Sequence, residues 1–167
     1  YDLAGNLTKT TDANHATSET DTASHNVERQ YNKARFLTAF YAILAADGSL
    51  VYSNAGHNAP VLVTETGVRR LETGGTVLGL FDHAAFDEEA LTLAPGDVIV
   101  AFSDGVSEAM NEAGEEYTDE RLLASVDAHR GQPPQALLEA LLADVHQFCG
   151  RAAPNDDVTM VVVRYDG

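Results

Sequence analysis

Apolar positions change their period along the chain, and the changes mark its elements. From Arg35 to Leu44 apolar residues occupy both alternating sets, which predicts a central strand packed on two faces. Asp47 and Gly48 are a turn signal, and Leu50 to Asn54 returns, so residues 36–54 read as a hairpin. The pattern breaks over 55–60 and resumes from Pro60 to Thr64. A turn at 65–67 leads into a short partner strand, Val68 to Leu71. Three or four antiparallel strands in series predict a meander. Residues 74–81 read as a flexible apolar loop. Phe86 to Leu93 reads as an edge strand whose acids, Asp87, Glu88 and Glu89, mostly face water. After the turn at Pro95 and Gly96, five apolar residues from Val98 to Phe102 run into Ser103, Asp104 and Gly105. A buried strand there ends on a carboxylate beside a glycine.

Beyond Gly105 the period is helical. Val106 to Asn111 predicts a short helix that stops near Gly114. Thr118 reads as an N-cap, with Asp119 and Glu120 in the first turn, where the helix dipole favours anions. Leu122, Leu123 and Val126 give that helix its apolar face, and Gly131 closes it. Pro133 and Pro134 start the next helix. Its stripe is Leu137, Leu138, Leu141, Leu142, Val145 and Phe148. Asp157 to Tyr165 then reads as a strand with apolar residues on both faces. Strands, then helices, then one strand predict an α+β domain, with helices on a mainly antiparallel sheet or sandwich.

Composition sets the limits of this picture. The 167 residues suffice for one domain with a full core. Residues 4–33 are rich in Thr, Ser, Asn, Asp and Ala and read as a mobile loop or linker. The division expected is therefore a polar, incomplete or flexible segment at 1–34 and a domain at 35–167. The first segment carries His15 and His25 among acids, a candidate metal site or a solvated polar tract. The chain opens on Tyr1 rather than Met, as a fragment would. Net charge is −16, from 10 basic and 26 acidic residues, which argues against nucleic acid and anionic membrane as partners. It would also repel a phosphorylated substrate unless bound cations offset the field locally. Cys149 is the single cysteine, so no internal disulfide forms, in keeping with a reducing cytoplasm. No run reaches the length of a membrane span, and no signal peptide is visible.

The chemistry concentrates on two acidic places. Asp104 lies at one strand end, and Asp156 and Asp157 open the last strand. Mg²⁺ and Mn²⁺ take oxygen ligands, and Mg²⁺ keeps several waters, so a few carboxylates on rigid supports suit them. Gly105 leaves space for a hydrated ion. On the other side, Asp104 is placed to cap a helix, and Asp156 to sit in a plain turn. His57, in a glycine-containing turn, reads as a ring that fixes the turn by bonding to backbone, or as a ligand or general acid. Cys149 ends an apolar stripe and reads as a core thiol, with nothing placed to lower its pKa. No nucleophile elbow, Walker loop or Cys–His ligand set occurs.

Six segments in order carry a resemblance: Arg35 to Tyr41, Tyr52 to Asn58, Gly79 to Phe81, Leu93 to Asp97, Phe102 to Val106 with Glu108 and Ala109, and Asn155 to Thr159. Together they closely resemble the metal-dependent Ser/Thr protein phosphatases of type 2C. The match is to the bacterial branch of stage II sporulation and sigma-factor regulator phosphatases, and it covers about residues 35–165. The resemblance implies a β-sandwich flanked by helices, with two Mn²⁺ or Mg²⁺ ions at one end. It implies that Asp104 and Asp156 are metal ligands, that Gly105 serves by its backbone or a nearby water, and that Asp157 stands behind them. It implies hydrolysis of phosphoserine or phosphothreonine without a phosphoenzyme. Two metals roughly 3.5–4 Å apart activate a bridging water in such centres. An anti-sigma-factor antagonist or similar signalling phosphoprotein is the implied partner, with sensor or regulatory domains alongside.

The chain departs from that family at its start. Two earlier acidic motifs of the family are not intact here. Tyr1, Asp2 and Leu3 resemble the tail of the first, which makes Asp2 a further ligand candidate. The tract 4–33 does not match the second. A truncated or divergent chain, or a non-catalytic module that binds a partner through the same fold, is the alternative this departure raises.

Overall fold

The computed structural model of the chain describes residues 9–11, 17–19 and 36–167. Asp2, His15 and His25 lie outside them. The chain divides into two compact units, Tyr1–Arg35 and Phe36–Gly167. In the first, β1 (Lys9–Thr11) pairs antiparallel with β2 (Thr17–Glu19), Thr11 opposite Thr17. Both strands fall inside the tract expected to be a linker.

The second unit begins with β3 (Ala39–Leu44) and β4 (Ser49–Ala55), an antiparallel hairpin with Leu44 opposite Leu50. Its turn is built as the sequence predicts. Gly48 sits at φ +85°, which only glycine adopts without strain, and the Asp47 carboxylate accepts from the Ser49 N–H at 3.0 Å. The meander does not continue. The chain leaves this sheet at Ala55, turns through Gly56 at φ +68°, and enters a second sheet with β5 (Val61–Thr64) and β6 (Gly67–Arg70). Gly56 and Pro60 break the ladder, so two hairpins fall in two sheets.

Residues 74–81 are not a free loop at their start. Gly74–Gly75 form β7, which runs parallel to the end of β4, with Asn54 opposite Gly74. A methyl group on Gly74 would lie 1.9 Å from the Asn54 carbonyl oxygen, so only glycine allows this approach. Next, β8 (Glu89–Thr92) pairs with β4 on the same edge as β7, opposite β3. Then β9 (Val98–Phe102) is laid between β5 and β10 (Met160–Arg164), which gives the order β10-β9-β5-β6. Between β9 and β10 come α1 (Asp104–Ser107), α2 (Asp119–Ala128) and α3 (Pro134–Cys149). The first helix starts and ends earlier than its apolar pattern predicts, because Ser103 takes the N-cap position.

The layers follow from alternation. Val61, Val63, Val98, Val100 and Phe102 face the helices and pack on Leu122, Val126, Leu137, Leu141 and Val145. Leu62 and Ile99 point the other way and join Leu50, Tyr52, Leu71 and Leu93 between the sheets. Each fully buried aliphatic of this kind contributes about 1.5–3 kcal/mol. The result is a sandwich of mainly antiparallel sheets with helices on one outer face, as the sequence predicts. None of the described helices is long and apolar enough to cross a membrane.

Three sequence expectations are corrected. β3 is not covered on both faces: Tyr41 is 66% and Ile43 56% exposed, and among the described residues β4 is its one ladder partner. β10 is likewise covered on one side, by the helices, with Val161 53% exposed. An apolar pattern on both faces records what a strand can bury, and the described residues cover one face of each. Finally, Glu89 is turned only partly to water, with 31% of its side chain exposed. Its carboxylate accepts from the Arg69 guanidinium at 2.8 Å, the Thr73 hydroxyl at 2.9 Å and the Tyr52 hydroxyl.

Candidate metal centre

Asp104 is placed by β9, whose apolar run ends at Phe102, and by α1, whose first residue it is. One of its oxygens, Oδ1, accepts from the Gly105 N–H at 2.9 Å. Asp156 lies in the loop that enters β10, and its Oδ1 accepts from the Asp157 N–H at 2.7 Å. Both side chains are exposed, and each second oxygen takes no hydrogen bond from the described residues.

The antiparallel pairing of β9 and β10 sets Phe102 opposite Met160, so the two acidic loops leave the sheet side by side. Ser103 then locks them together. Its N–H donates to the Thr159 carbonyl at 3.0 Å, its hydroxyl donates to the Asp157 carbonyl at 3.0 Å, and the same hydroxyl accepts from the Thr159 N–H at 3.0 Å. Gly105 packs on this loop so closely that a methyl group there would lie 2.4 Å from the Asp157 carbonyl oxygen. Asn155 adds a bond from its amide to the Glu108 carbonyl, at 2.9 Å.

A second tier holds α1. The Ser107 hydroxyl donates to the Asp104 carbonyl at 3.3 Å and accepts from the Asn58 amide at 3.1 Å. The Asn58 turn is itself clasped by buried Asn54, whose amide oxygen accepts from the His57 N–H at 2.8 Å while its amide nitrogen donates to the His57 carbonyl at 3.0 Å. The His57 ring meets the Thr38 hydroxyl at 3.2 Å, not backbone, so Asn54 rather than the imidazole fixes this turn. Below α1 the Ser107 carbonyl accepts from the Thr118 N–H at 2.8 Å. Buried Tyr117 donates its hydroxyl to Asp144 on α3. Burial first, and then the Asp144 carboxylate, push the Tyr117 phenol above its ordinary range, so it stays protonated.

Asp104, Gly105, Asp156 and Asp157 are thus brought together. The carbonyl of Asp157, rather than its carboxylate, makes the contact that joins the loops. Cys149 is a free thiol packed against the helix-side core. Ser103, Ser107, Asn58 and Asn54 are the residues that sequence reasoning passed over. Their signal was the run of small polar residues flanking strand ends, which does not say which loops they join.

The donor chemistry fits a hard divalent cation. Two carboxylates from adjacent loops each keep an oxygen that no described residue hydrogen-bonds, and Gly105 holds its loop tight against the other. No group of three or more acidic, His or Cys ligands forms among the described residues. These two acids therefore suit an ion that keeps much of its water.

The model of the stage II sporulation protein E (SpoIIE) family matches residues 5–166. The phosphoserine phosphatase RsbU of Bacillus subtilis is 29% identical over 151 residues, which cover 83% of this chain and 42% of that protein. Protein IcfG of Synechocystis is 26% identical over 132 residues, covering 78% of this chain and 21% of that one. This chain therefore spans less than half the length of either relative. Among solved structures, the SiaA-PP2C domain of Pseudomonas aeruginosa shares the fold with a TM-score of 0.63 and 23% identity, over 72% of this chain and 48% of that one. The phosphatase domain of SpoIIE from Bacillus subtilis does so with a TM-score of 0.60 and 20% identity, over 78% and 59%.

Proposed function

Since the chain belongs to the stage II sporulation protein E family, we propose that it serves as a metal-dependent protein serine/threonine phosphatase, with residues 35–167 as the phosphatase-like unit. The observation that carries this reading is the lock between the Asp104 and Asp156 loops through Ser103 and Gly105. It holds two carboxylates from distant parts of the chain on one rigid support, as a catalytic metal requires.

In this reading Asp104 and Asp156 hold Mn²⁺ or Mg²⁺, Gly105 lets the loops close, and Asp157 supports its neighbour. Asp2 is a further ligand candidate that would help to complete a site for two ions. Such ions, when bound, supply an activated water and neutralise phosphoryl oxygens. They would also offset a net charge of −16 where a phosphate must approach. The chain's own part is to orient the ligands, through backbone N–H bonds to each Oδ1 and the Ser103 clamp. The substrate is a phosphoserine or phosphothreonine of a bacterial signalling protein such as an anti-sigma-factor antagonist, in the cytoplasm, with sensor or regulatory domains in the whole protein. One relative's description as a phosphoserine phosphatase supports this substrate class.

The test is Mn²⁺-dependent phosphate release from a phosphoserine peptide. Release that vanishes in Asp104→Ala supports the reading, and no release above that control sinks it. A second reading, a non-catalytic module that binds a signalling partner, is favoured by the presence of only two clustered carboxylates among the described residues. Calorimetry separates the two, because tight binding of two Mn²⁺ ions contradicts the second.

A further inference from the structure

A cavity of about 210 Å³ opens beside the candidate centre. It shares Gly105, Asn155 and Asp156 with that centre. Away from them its walls are nearly all apolar: Ala109 and Met110 after α1, Val145 and Cys149 on α3, and Ala152, Pro154 and Val158 on the loop to β10. Met110 and Val158 are among the few large apolar side chains in this region left partly exposed, at 38% and 39%. The loop that forms one wall is pinned, since the Glu112 carboxylate accepts from the Arg151 N–H at 2.9 Å. The cavity is therefore a preformed feature with an apolar interior.

Its size selects its occupant. Pockets for whole small molecules begin at roughly 300 Å³, so this one suits a single side chain. Its chemistry favours an apolar one: Asp156, which belongs to the metal centre, and His146 are the only titratable side chains among its lining residues apart from the Cys149 thiol, and there is no Lys or Arg. A larger cleft, about 480 Å³, lies at the opposite end of β9 around Asp97 and Val98. Its arginines, Arg130 and Arg164, already face Asp127 and Asp166, so it offers no spare charge to a ligand.

We infer that the cavity between α1, α3 and the 152–158 loop seats an apolar side chain of the phosphoprotein, close in sequence to the phosphorylated residue. This rests on the phosphatase reading above and names what that site selects. A phosphoryl group held at Asp104 and Asp156 leaves the neighbouring residues of its own chain beside Gly105 and Asn155, at the cavity mouth. On a surface of net charge −16, ionic contacts would not hold an acidic partner. Burial of one Leu- or Met-sized group supplies affinity that does not depend on that field.

The probe is a set of phosphoserine nonapeptides with Leu or Asp at each position flanking the phosphoserine. Binding to the full chain with Mn²⁺ is measured by calorimetry, and turnover is measured separately. At one flanking position Leu is expected to bind roughly tenfold or more tighter than Asp, within the range one apolar group supports. Ala152→Phe, which fills the cavity, should abolish that preference, and Met110→Asp at its mouth should do the same if the first variant fails to fold by circular dichroism. Equal affinity for the Leu and Asp peptides at every position overturns the inference, as does a Leu preference that survives in a folded variant. Turnover bears on the phosphatase reading alone, so a preference with no turnover would support the cavity and count against catalysis.

Discussion

Gly105 approaches the Asp157 carbonyl so closely that even one methyl group would be 2.4 Å from the oxygen, with backbone on both sides of the contact. Neither partner is the far end of a flexible side chain, so neither can swing aside. Gly105→Ala must therefore push the Asp156 loop away from Asp104. The expected outcome is a loss of about 2–3 kcal/mol in urea unfolding, the scale of a steric insertion between fixed groups. A fall in Mn²⁺ affinity by calorimetry should accompany it. Unchanged stability would mean that the loops are not locked.

The two acids of the last motif should separate sharply. Asp156 offers a carboxylate oxygen that is unbonded among the described residues, whereas Asp157 meets Ser103 through its backbone carbonyl, which any residue retains. Asp156→Asn should lower Mn²⁺-dependent turnover by more than about a hundredfold. Asp157→Asn should cost about tenfold, the lower end of the range for groups behind a ligand. Equal losses would contradict the assignment.

Glu89 gives a stability signature in acid. The Tyr52 hydroxyl, then Arg69 and Thr73, hold its carboxyl down at about 2 against an ordinary value of 4.5. A depressed folded pKa stabilises the protein fully above 4.5, and the contribution is lost as pH falls through 2. Glu89→Gln should lower stability at pH 7 by about 1 kcal/mol, a modest figure because the group is partly exposed. The gap between the two proteins should close between pH 4.5 and 2, measured by urea unfolding. A gap that persists at pH 2 would assign the effect to packing.

Thr118 sits at φ 69° and ψ 157°, a region that suits glycine, and its side chain makes no capping bond to the helix that follows. Strain of this kind costs about 1–3 kcal/mol, and glycine's greater freedom when unfolded takes back roughly 0.5–1. Thr118→Gly should raise the melting temperature by a few degrees. A lower one would show that the threonine side chain contributes more than the strain costs.

How much of this was legible in the sequence depends on the range of the interaction. The turn at Gly48, the helix stripe from Leu137 to Val145 and the strand at Val98 are local patterns, and each is found where its period placed it. The transfer of β5 and β6 into a second sheet was not legible, because a break at Gly56 and Pro60 says only that the ladder stops. Exposure was misjudged at β3 and β10 for a related reason: an apolar face is a property of one segment, but its cover belongs to another. At the site, Asp104, Asp156 and Asp157 carried a signal as acids at strand ends. The Ser103 clamp did not, since Ser103 and Thr159 are linked through three dimensions and nothing in either residue names the other.

The clamp also sets an order of events. Ser103 and its partners at Asp157 and Thr159 are separated along the chain by the three described helices, and β10 follows them as the last of the described strands. During synthesis from the N-terminus, the nascent chain presents Asp104 while the residues that will lock beside it are still inside the ribosome. Closing so long a loop is slow compared with forming the helices within it. The acidic pair proposed to hold the metal is thus complete only once β10 has docked beside β9.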